Sequence, residues 1–213
     1  MKIGIIETGN VGTSLGKIWA ENGQDIFFGL RNPKGISNLI DEIGIKAKGG
    51  SYEEAAQYGD VILLAIPWSS VQDTLNILGD LHGKIIIDCT NTVAPKLGDL
   101  LSDIGNSAAE HIAEWAKGAH VVKAFNAFDP EHLSEVKTRD PKPSTFICGD
   151  DPHAKSLVKE LGHIIGYDVI DCGPLKYARL LEPLALLWFE LAYTQGMGPG
   201  IAFKLLHHRK LPE

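Results

Sequence analysis

Along this chain short runs of apolar residues alternate with stretches whose apolar positions recur at helical spacing. The runs predict strands at Lys2–Ile6, Asp25–Phe28, Asp60–Ala65, Lys84–Asp88, His120–Lys123, Thr145–Cys148 and Asp168–Asp171, with a shorter one near Ile45–Ala47. The helical spacing predicts helices at Thr13–Asn22, Ile36–Ile43, Ser51–Tyr58, Ser69–Leu78, Ala108–Lys117 and Pro152–Leu161, and a long one from Leu175 to about Thr194. Strands that are apolar along nearly their whole length, each followed by a helix, imply a mainly parallel sheet covered on both faces. We therefore expect a doubly wound α/β fold with right-handed crossovers and a ligand crevice outside the carboxyl ends of the strands. Phe128–Ser144, with Pro130, Pro141 and Pro143, breaks the alternation. It reads as a surface excursion with a short helix at Glu131–Val136, or as a lid.

The 213 residues suit a single domain spanning 1–213, with residues 175–213 as a small C-terminal helical extension. A composition of 44% hydrophobic and 22% charged residues is that of a soluble globular protein. A formal net charge of −7 argues against nucleic acid or an anionic membrane as a partner. The chain opens directly on a strand, so no targeting segment is expected, and Glu182, Pro183 and Glu190 interrupt its last apolar run. Cys89, Cys148 and Cys172 are widely spaced and form no C-x-x-C pair, as expected of reduced thiols in a cytoplasmic protein. No histidine or lysine adjoins any of them to mark a nucleophile. The histidines do not cluster at metal spacing, so no metal site is expected, and His207-His208-Arg209 reads as a solvated tail. Asp151 before Pro152 reads as a helix cap with proline at the first helical position.

The candidate chemistry lies in the first 33 residues. Lys2–Ile6 runs into Gly9-Asn10-Val11-Gly12 and then a helix, the arrangement that receives a dinucleotide pyrophosphate. Gly9 and Gly12 occupy the second and third glycine positions of the G-x-G-x-x-G fingerprint, and Glu7 occupies the first. The bland alternative is a tight strand–helix turn without a ligand. After the second strand come Gly29-Leu30-Arg31-Asn32-Pro33, with no carboxylate to hold the ribose hydroxyls of NAD. The planar donor fork of Arg31 suits a ribose 2′-phosphate, which favours NADP, and Lys34 is a second cation there. A carboxylate at Glu7 about 6 Å from a phosphate, at an effective dielectric near 20, is repelled by roughly 3 kcal/mol. Such a repulsion costs about a hundredfold in affinity. Glu7 either turns to solvent, or weakens or abolishes the site, or is a single change from glycine; the residues alone leave these open.

Further motifs follow later strands. They are Ala65-Ile66-Pro67, Asp88-Cys89-Thr90-Asn91, Val122-Lys123-Ala124-Phe125-Asn126, Gly149-Asp150-Asp151 and Asp171-Cys172-Gly173-Pro174-Leu175, then Ala178-Arg179 and Leu181-Glu182-Pro183. Together with the glycine turn they resemble the coenzyme F420-dependent NADP oxidoreductase family, and also the cytoplasmic reductase domain of the membrane ferrireductases called STEAP proteins. The likeness covers nearly the whole chain and departs at Glu7, where the family has glycine, and at Leu30. It implies a Rossmann-type fold. It also implies pyrophosphate binding by Thr8, Gly9, Asn10, Val11 and Gly12 and 2′-phosphate binding by Arg31 and Asn32. Ile66, Pro67 and Asn91 would line the route to the nicotinamide, and Ala124 and Asn126 would sit near its ring.

The implied reaction is hydride transfer between NADP and a flavin or deazaflavin such as F420, FMN or FAD, bound transiently as the small-molecule partner. Hydride transfer between two stacked rings needs no acid–base residue, and no catalytic side chain is assigned. Candidate walls for the second ring are Trp68, Phe128–Ser144 and Met197-Gly198-Pro199-Gly200. The helix from Leu175 is apolar on nearly all sides, from which we expect a homodimer. The rival reading is a nucleotide-binding module or sensor that has lost catalysis through Glu7. An NADP enzyme of the hydroxyacid or pyrroline reductase type would carry a large helical second domain, which is not expected here.

Overall fold

The computed structural model describes residues 1–33, 35–44, 46–91 and 106–206. Lys34, Ile45 and the His207-His208-Arg209 tail lie outside that set. The elements run β1 (Lys2–Ile6), α1 (Asn10–Glu21), β2 (Asp25–Gly29), α2 (Ser37–Ile43), β3 (Ala47–Gly50), α3 (Tyr52–Tyr58), β4 (Val61–Leu64), α4 (Val71–Leu78) and β5 (Ile85–Asp88). They continue with α5 (Ala108–Trp115), β6 (His120–Lys123), β7 (Ser144–Gly149), α6 (Pro152–Ile165), β8 (Asp168–Asp171) and α7 (Ala178–Phe189).

The strands form one sheet in the order β3-β2-β1-β4-β5-β6-β7-β8. β1 to β6 pair parallel throughout. β7 joins β6 antiparallel, and β8 joins β7 parallel. The order reverses between β1 and β4, which opens the crevice beyond their carboxyl ends. This is the Rossmann-type doubly wound architecture.

Helices cover both faces. On one, Ile3, Ile5, Leu15, Trp19, Phe28 and Leu161 are enclosed, with α1 and α6 over the sheet. On the other, Ile6, Ala55, Leu75, Ile112 and Leu181 are enclosed beneath α3, α4, α5 and α7. β4 and β5 are buried at every position because both faces are covered, as their unbroken apolar runs predicted. Each such Leu or Ile contributes about 1.5–3 kcal/mol to the folded state.

The third strand lies at Ala47–Gly50, later than the apolar pattern placed it. Its Lys48-Gly49-Gly50 has no strand-like alternation, and pairing with β2, Ile26 to Ala47 through Gly29 to Gly50, holds it extended. Before α4 the chain makes a 3-10 turn, Trp68–Ser70. The last helix is composite: a 3-10 turn at Leu175–Tyr177, then α7, then a π-helical turn at Glu190–Thr194. It is covered on one side only. Leu181, Ala185 and Trp188 are buried, while Leu180 is 65% exposed and Leu187 49%.

Because β7 runs antiparallel, its amino end at Ser144 lies on the same sheet edge as the carboxyl ends of β1 to β6. The Phe128–Ser144 segment arrives there through a 3-10 helix, Pro130–Thr138, anchored by buried Leu133 and Val136. The C-terminal segment crosses the same edge. Ser144 N–H donates to Phe203 O (2.8 Å), Arg139 Nη1 to Gly200 O (2.8 Å) and Trp188 Nε1 to Ile201 O (3.0 Å). Asp151 caps α6, accepting from Ala154 N–H at 2.7 Å, with Pro152 at the first helical position as its sequence implied. Among the described residues no helix is long and apolar enough to cross a membrane.

Candidate functional site

The β1–α1 turn is built for close approach. Gly12 is buried, and a Cβ there would stand 2.4 Å from the Glu7 carbonyl oxygen, so only glycine lets the helix start this close to the strand. Gly9 differs. It is the N-cap of α1, with extended backbone (φ −66°, ψ 177°), and a Cβ on it would meet no protein atom within 4 Å. The protein's own packing does not require glycine there; the backbone of a helix start meant to touch a ligand does. No side chain caps α1, and its first turn carries no carboxylate. The unpaired N–H groups at that end and the positive pole of the helix face the crevice. The cradle therefore fits a dinucleotide pyrophosphate. Thr8 and Thr13 brace it: Thr13 Oγ1 donates to Thr8 O (3.0 Å) and Thr13 N–H to Gly9 O (2.9 Å).

Glu7 stands at φ +75°, the left-handed region that glycine occupies freely and that costs another residue about 1–2 kcal/mol. Its N–H donates to Gly29 O at 2.9 Å, so the turn stays locked to β2. Its carboxylate Oε1 accepts a hydrogen bond from the Tyr52 hydroxyl, so Glu7 is engaged with the protein and does not turn freely to solvent. Tyr52 is the first residue of α3, held there by the capping box of Ser51 and Glu54. Burial, then the Glu7 carboxylate, push the Tyr52 phenol up to about 12, and the neighbouring Arg31 guanidinium pulls it the other way. Glu7, Arg31 and Tyr52 thus follow β1, β2 and β3, three adjacent strands, and converge at one corner of the crevice. Arg31 and Asn32 are exposed there. Tyr52 was missed from the sequence, although a capping-box signature directly after a third strand end marks its position.

In the far half of the crevice, among the described residues, polar side chains pair within the protein. Asn91 and Asn126 meet across the ends of β5 and β6: Asn91 Nδ2 donates to Asn126 O (2.9 Å), and Asn126 Nδ2 to Asn91 Oδ1 and Leu181 O (3.0 Å each). Ala124 is fully buried, and Phe125, at φ +54°, packs beside Trp19 in the core. Ile66 is 7% exposed and belongs to the core, whereas Pro67 is exposed. Of the residues expected near the nicotinamide, Asn91 and Pro67 therefore present side chains most openly.

Behind them lies a charged cluster. Lys123, fully buried, pairs with Asp88 Oδ2 (2.9 Å) and Glu182 Oε1 (3.3 Å) and donates to Thr90 O. Asp88 Oδ1 accepts from Thr90 N–H (2.8 Å), and Glu182 accepts from the Ala108 and Ala109 N–H groups at the start of α5 (3.2 and 3.4 Å). Burial alone would lower the Lys123 pKa; the two carboxylates more than reverse that, and it lies above its ordinary value. Lys123 is therefore a structural ion in this arrangement. Trp68 stacks on Trp115 (5.4 Å, 17° between planes) beside His111. Burial raises the thiol pKa of Cys89, Cys148 and Cys172, which disfavours the thiolate that a nucleophile needs; Cys148 is buried and the other two are half-buried.

Residues 2–92 match the family model described as NADP oxidoreductase, coenzyme F420-dependent. The chain is 30% identical to the F420-dependent NADP reductase of Methanothermobacter marburgensis over 90% of its own length and 92% of that protein's. It belongs to the coenzyme F420-dependent NADP oxidoreductase family. It is also 32% identical to the metalloreductase STEAP3 of Rattus norvegicus, over 87% of this chain and 37% of that longer protein. The crystal structure of a candidate F420-dependent NADP reductase from Arthrobacter sp. FB24 superposes with a TM-score of 0.85 at 26% identity, covering 97% of this chain and all of that one. Within the F420-dependent oxidoreductase frame, the later shared motifs divide by role. Arg179 forms a two-pronged pair with Glu110 (2.8 Å to each oxygen) that ties α7 to α5, and Glu182 anchors Lys123 and so ties α7 to the sheet. The glycine turn has no side-chain cap, and exposed Arg31 lies against Tyr52 at the same corner.

Proposed function

We propose that this protein is an NADPH-dependent oxidoreductase that passes hydride between the nicotinamide and a deazaflavin of the F420 type, or a flavin such as FMN or FAD in its place. The observation that carries this reading is the uncapped start of α1, with Gly9 presenting bare backbone to the crevice. The N–H groups of Thr8 to Gly12 bind the pyrophosphate, and Arg31 with Asn32 binds the 2′-phosphate. The Asn91–Asn126 pair fixes the floor on which the nicotinamide end rests, and Pro67 lines the approach. When bound, the nicotinamide supplies or accepts the hydride; the chain contributes positioning and exclusion of water. The Phe128–Ser144 segment and residues 199–203, tied together at the same edge, are suited to wall the second ring.

The direct test is anaerobic mixing of the protein with NADPH and, separately, F420, FMN and FAD, following the loss of reduced nicotinamide. Turnover with F420 or a flavin supports the proposal. Tight NADPH binding with no transfer to any of the three would favour the sensor reading, for which Glu7 at the fingerprint position is the supporting observation.

The exposed Leu180, Leu187, Tyr193 and Met197 support a homodimer built on the last helix. Light scattering at micromolar concentration should give twice the mass of one chain; the mass of a single chain would end that proposal. Three unpaired cysteines support a reducing cytoplasmic setting.

A further inference from the structure

The corner beyond β1, β2 and β3 holds two opposing signals for the ribose of a coenzyme. Arg31 offers a cation after β2, the feature that receives a 2′-phosphate. Tyr52 holds a carboxylate beside it, and a carboxylate in that pocket accepts from the ribose hydroxyls of NAD and repels a 2′-phosphate. In the usual arrangement the acidic residue ends β2. Here β2 ends in Gly29-Leu30-Arg31, and the carboxylate comes from β1. It is fixed from both ends, by the Glu7 N–H on Gly29 O and by the Tyr52 hydroxyl on its oxygen. The left-handed turn at Glu7 is what projects the side chain from β1 across to α3. The nearby Glu54 carboxylate is already engaged, accepting from Ser51 N–H at 2.7 Å.

We propose that Glu7 is a coenzyme-specificity residue: its carboxylate, held by Tyr52 beside Arg31, loosens the grip on a 2′-phosphate and lets the chain take NADH alongside NADPH. Tyr52 is its positioning residue. The proposal rests on the coenzyme reading above and goes beyond it. Repulsion of a pyrophosphate is the same for both coenzymes and cancels in their ratio, whereas a charge acting at the 2′ position changes the ratio. Partial solvation trims the Coulomb effect, and removal of the charge should shift the ratio by about tenfold or more.

The test is calorimetric titration of NADPH, NADH, 2′,5′-ADP and 5′-AMP against the unchanged chain, Glu7→Gln and Glu7→Gly. Both variants should move the NADPH-to-NADH affinity ratio toward NADPH by about tenfold or more, and 2′,5′-ADP should gain by the same factor while 5′-AMP hardly changes. Glycine suits the left-handed turn, so Glu7→Gly carries the test should Glu7→Gln fold poorly. Tyr52→Phe should move the ratio the same way by less; a well-folded Tyr52→Phe with an unmoved ratio would remove the positioning role. Equal gains for both coenzymes would locate the charge at the pyrophosphate and overturn the proposal, as would no change at all. If no variant and not the unchanged chain binds any of the four probes, the coenzyme reading falls and takes this one with it.

Discussion

The two halves of the crevice treat their polar groups in opposite ways. At the ends of β5 and β6, buried Lys123, Asp88 and Glu182 pair with one another and Asn126 bonds Asn91 and Leu181 O, so most of the hydrogen-bonding capacity is consumed inside the protein, buried Thr90 Oγ1 excepted. At the ends of β1 and β2, Arg31 and Asn32 are exposed and the start of α1 has no side-chain cap. A buried ion cluster fixes geometry at the cost of desolvation, whereas an open helix start and cation keep their binding capacity for a ligand. The buried cluster is scaffold, and the open corner is the part proposed to hold the phosphates of a coenzyme. Similar motif density in sequence thus hides different physical roles.

The sharpest way to break this contrast is Lys123→Met. It strands two buried carboxylates and should cost about 3–5 kcal/mol in chemical denaturation. A loss below about 1 kcal/mol would mean that water reaches the cluster and solvates its carboxylates.

The two glycines sharpen the contrast within the open half. Gly12→Ala forces a contact with the Glu7 carbonyl and should destabilise the fold by about 1–3 kcal/mol. Gly9→Ala should leave the melting temperature unchanged while weakening NADPH, since its methyl enters only ligand space. Equal stability losses for the two would contradict the division.

Arg31→Ala should weaken NADPH by about 1.5–3 kcal/mol in a binding titration and leave NADH nearly untouched, because in the proposed site its charge-assisted bonds go to the 2′-phosphate alone. Equal weakening of both would assign Arg31 to the shared part of the coenzyme.

The smallest effect concerns pH and the scaffold. Pairing with Arg179 is the leading cause that brings the Glu110 carboxyl from 4.5 down to about 2. A depressed carboxyl adds stability that is complete above its unfolded value and lost as pH falls through the folded one. Stability should therefore decline between about pH 4.5 and 2. Arg179→Ala should flatten that decline by about 1 kcal/mol, as read from acid denaturation. An unaltered acid profile would show that the pair contributes nothing measurable.

Much of this was legible beforehand. The apolar runs located seven of the strands, since a strand covered on both faces must be apolar at successive positions. Gly9, Gly12 and Arg31 announced their corner because a strand–glycine–helix sequence has one economical way to fold. β3 was misplaced because Lys48-Gly49-Gly50 is extended only by virtue of its neighbour. The last helix was read as apolar all round, yet only one side of it is covered, because composition does not say which leucines meet a neighbour. Lys123 was ambiguous for the same reason: its partners Asp88 and Glu182 lie 35 residues before and 59 after it.

The linear order of residues determined the sheet, the crevice edge and the class of coenzyme, all of which follow from local periodicity and from short motifs confined to one strand and one helix. It also determined that a carboxylate would occupy the first fingerprint position. Where that carboxylate goes was decided only by the tertiary structure. Glu7 reaches Tyr52, distant in the chain, because β1, β2 and β3 are neighbours in the sheet and a left-handed turn aims the side chain across them. Position in sequence fixes a residue's chemistry, and the company it keeps depends on which strands lie side by side.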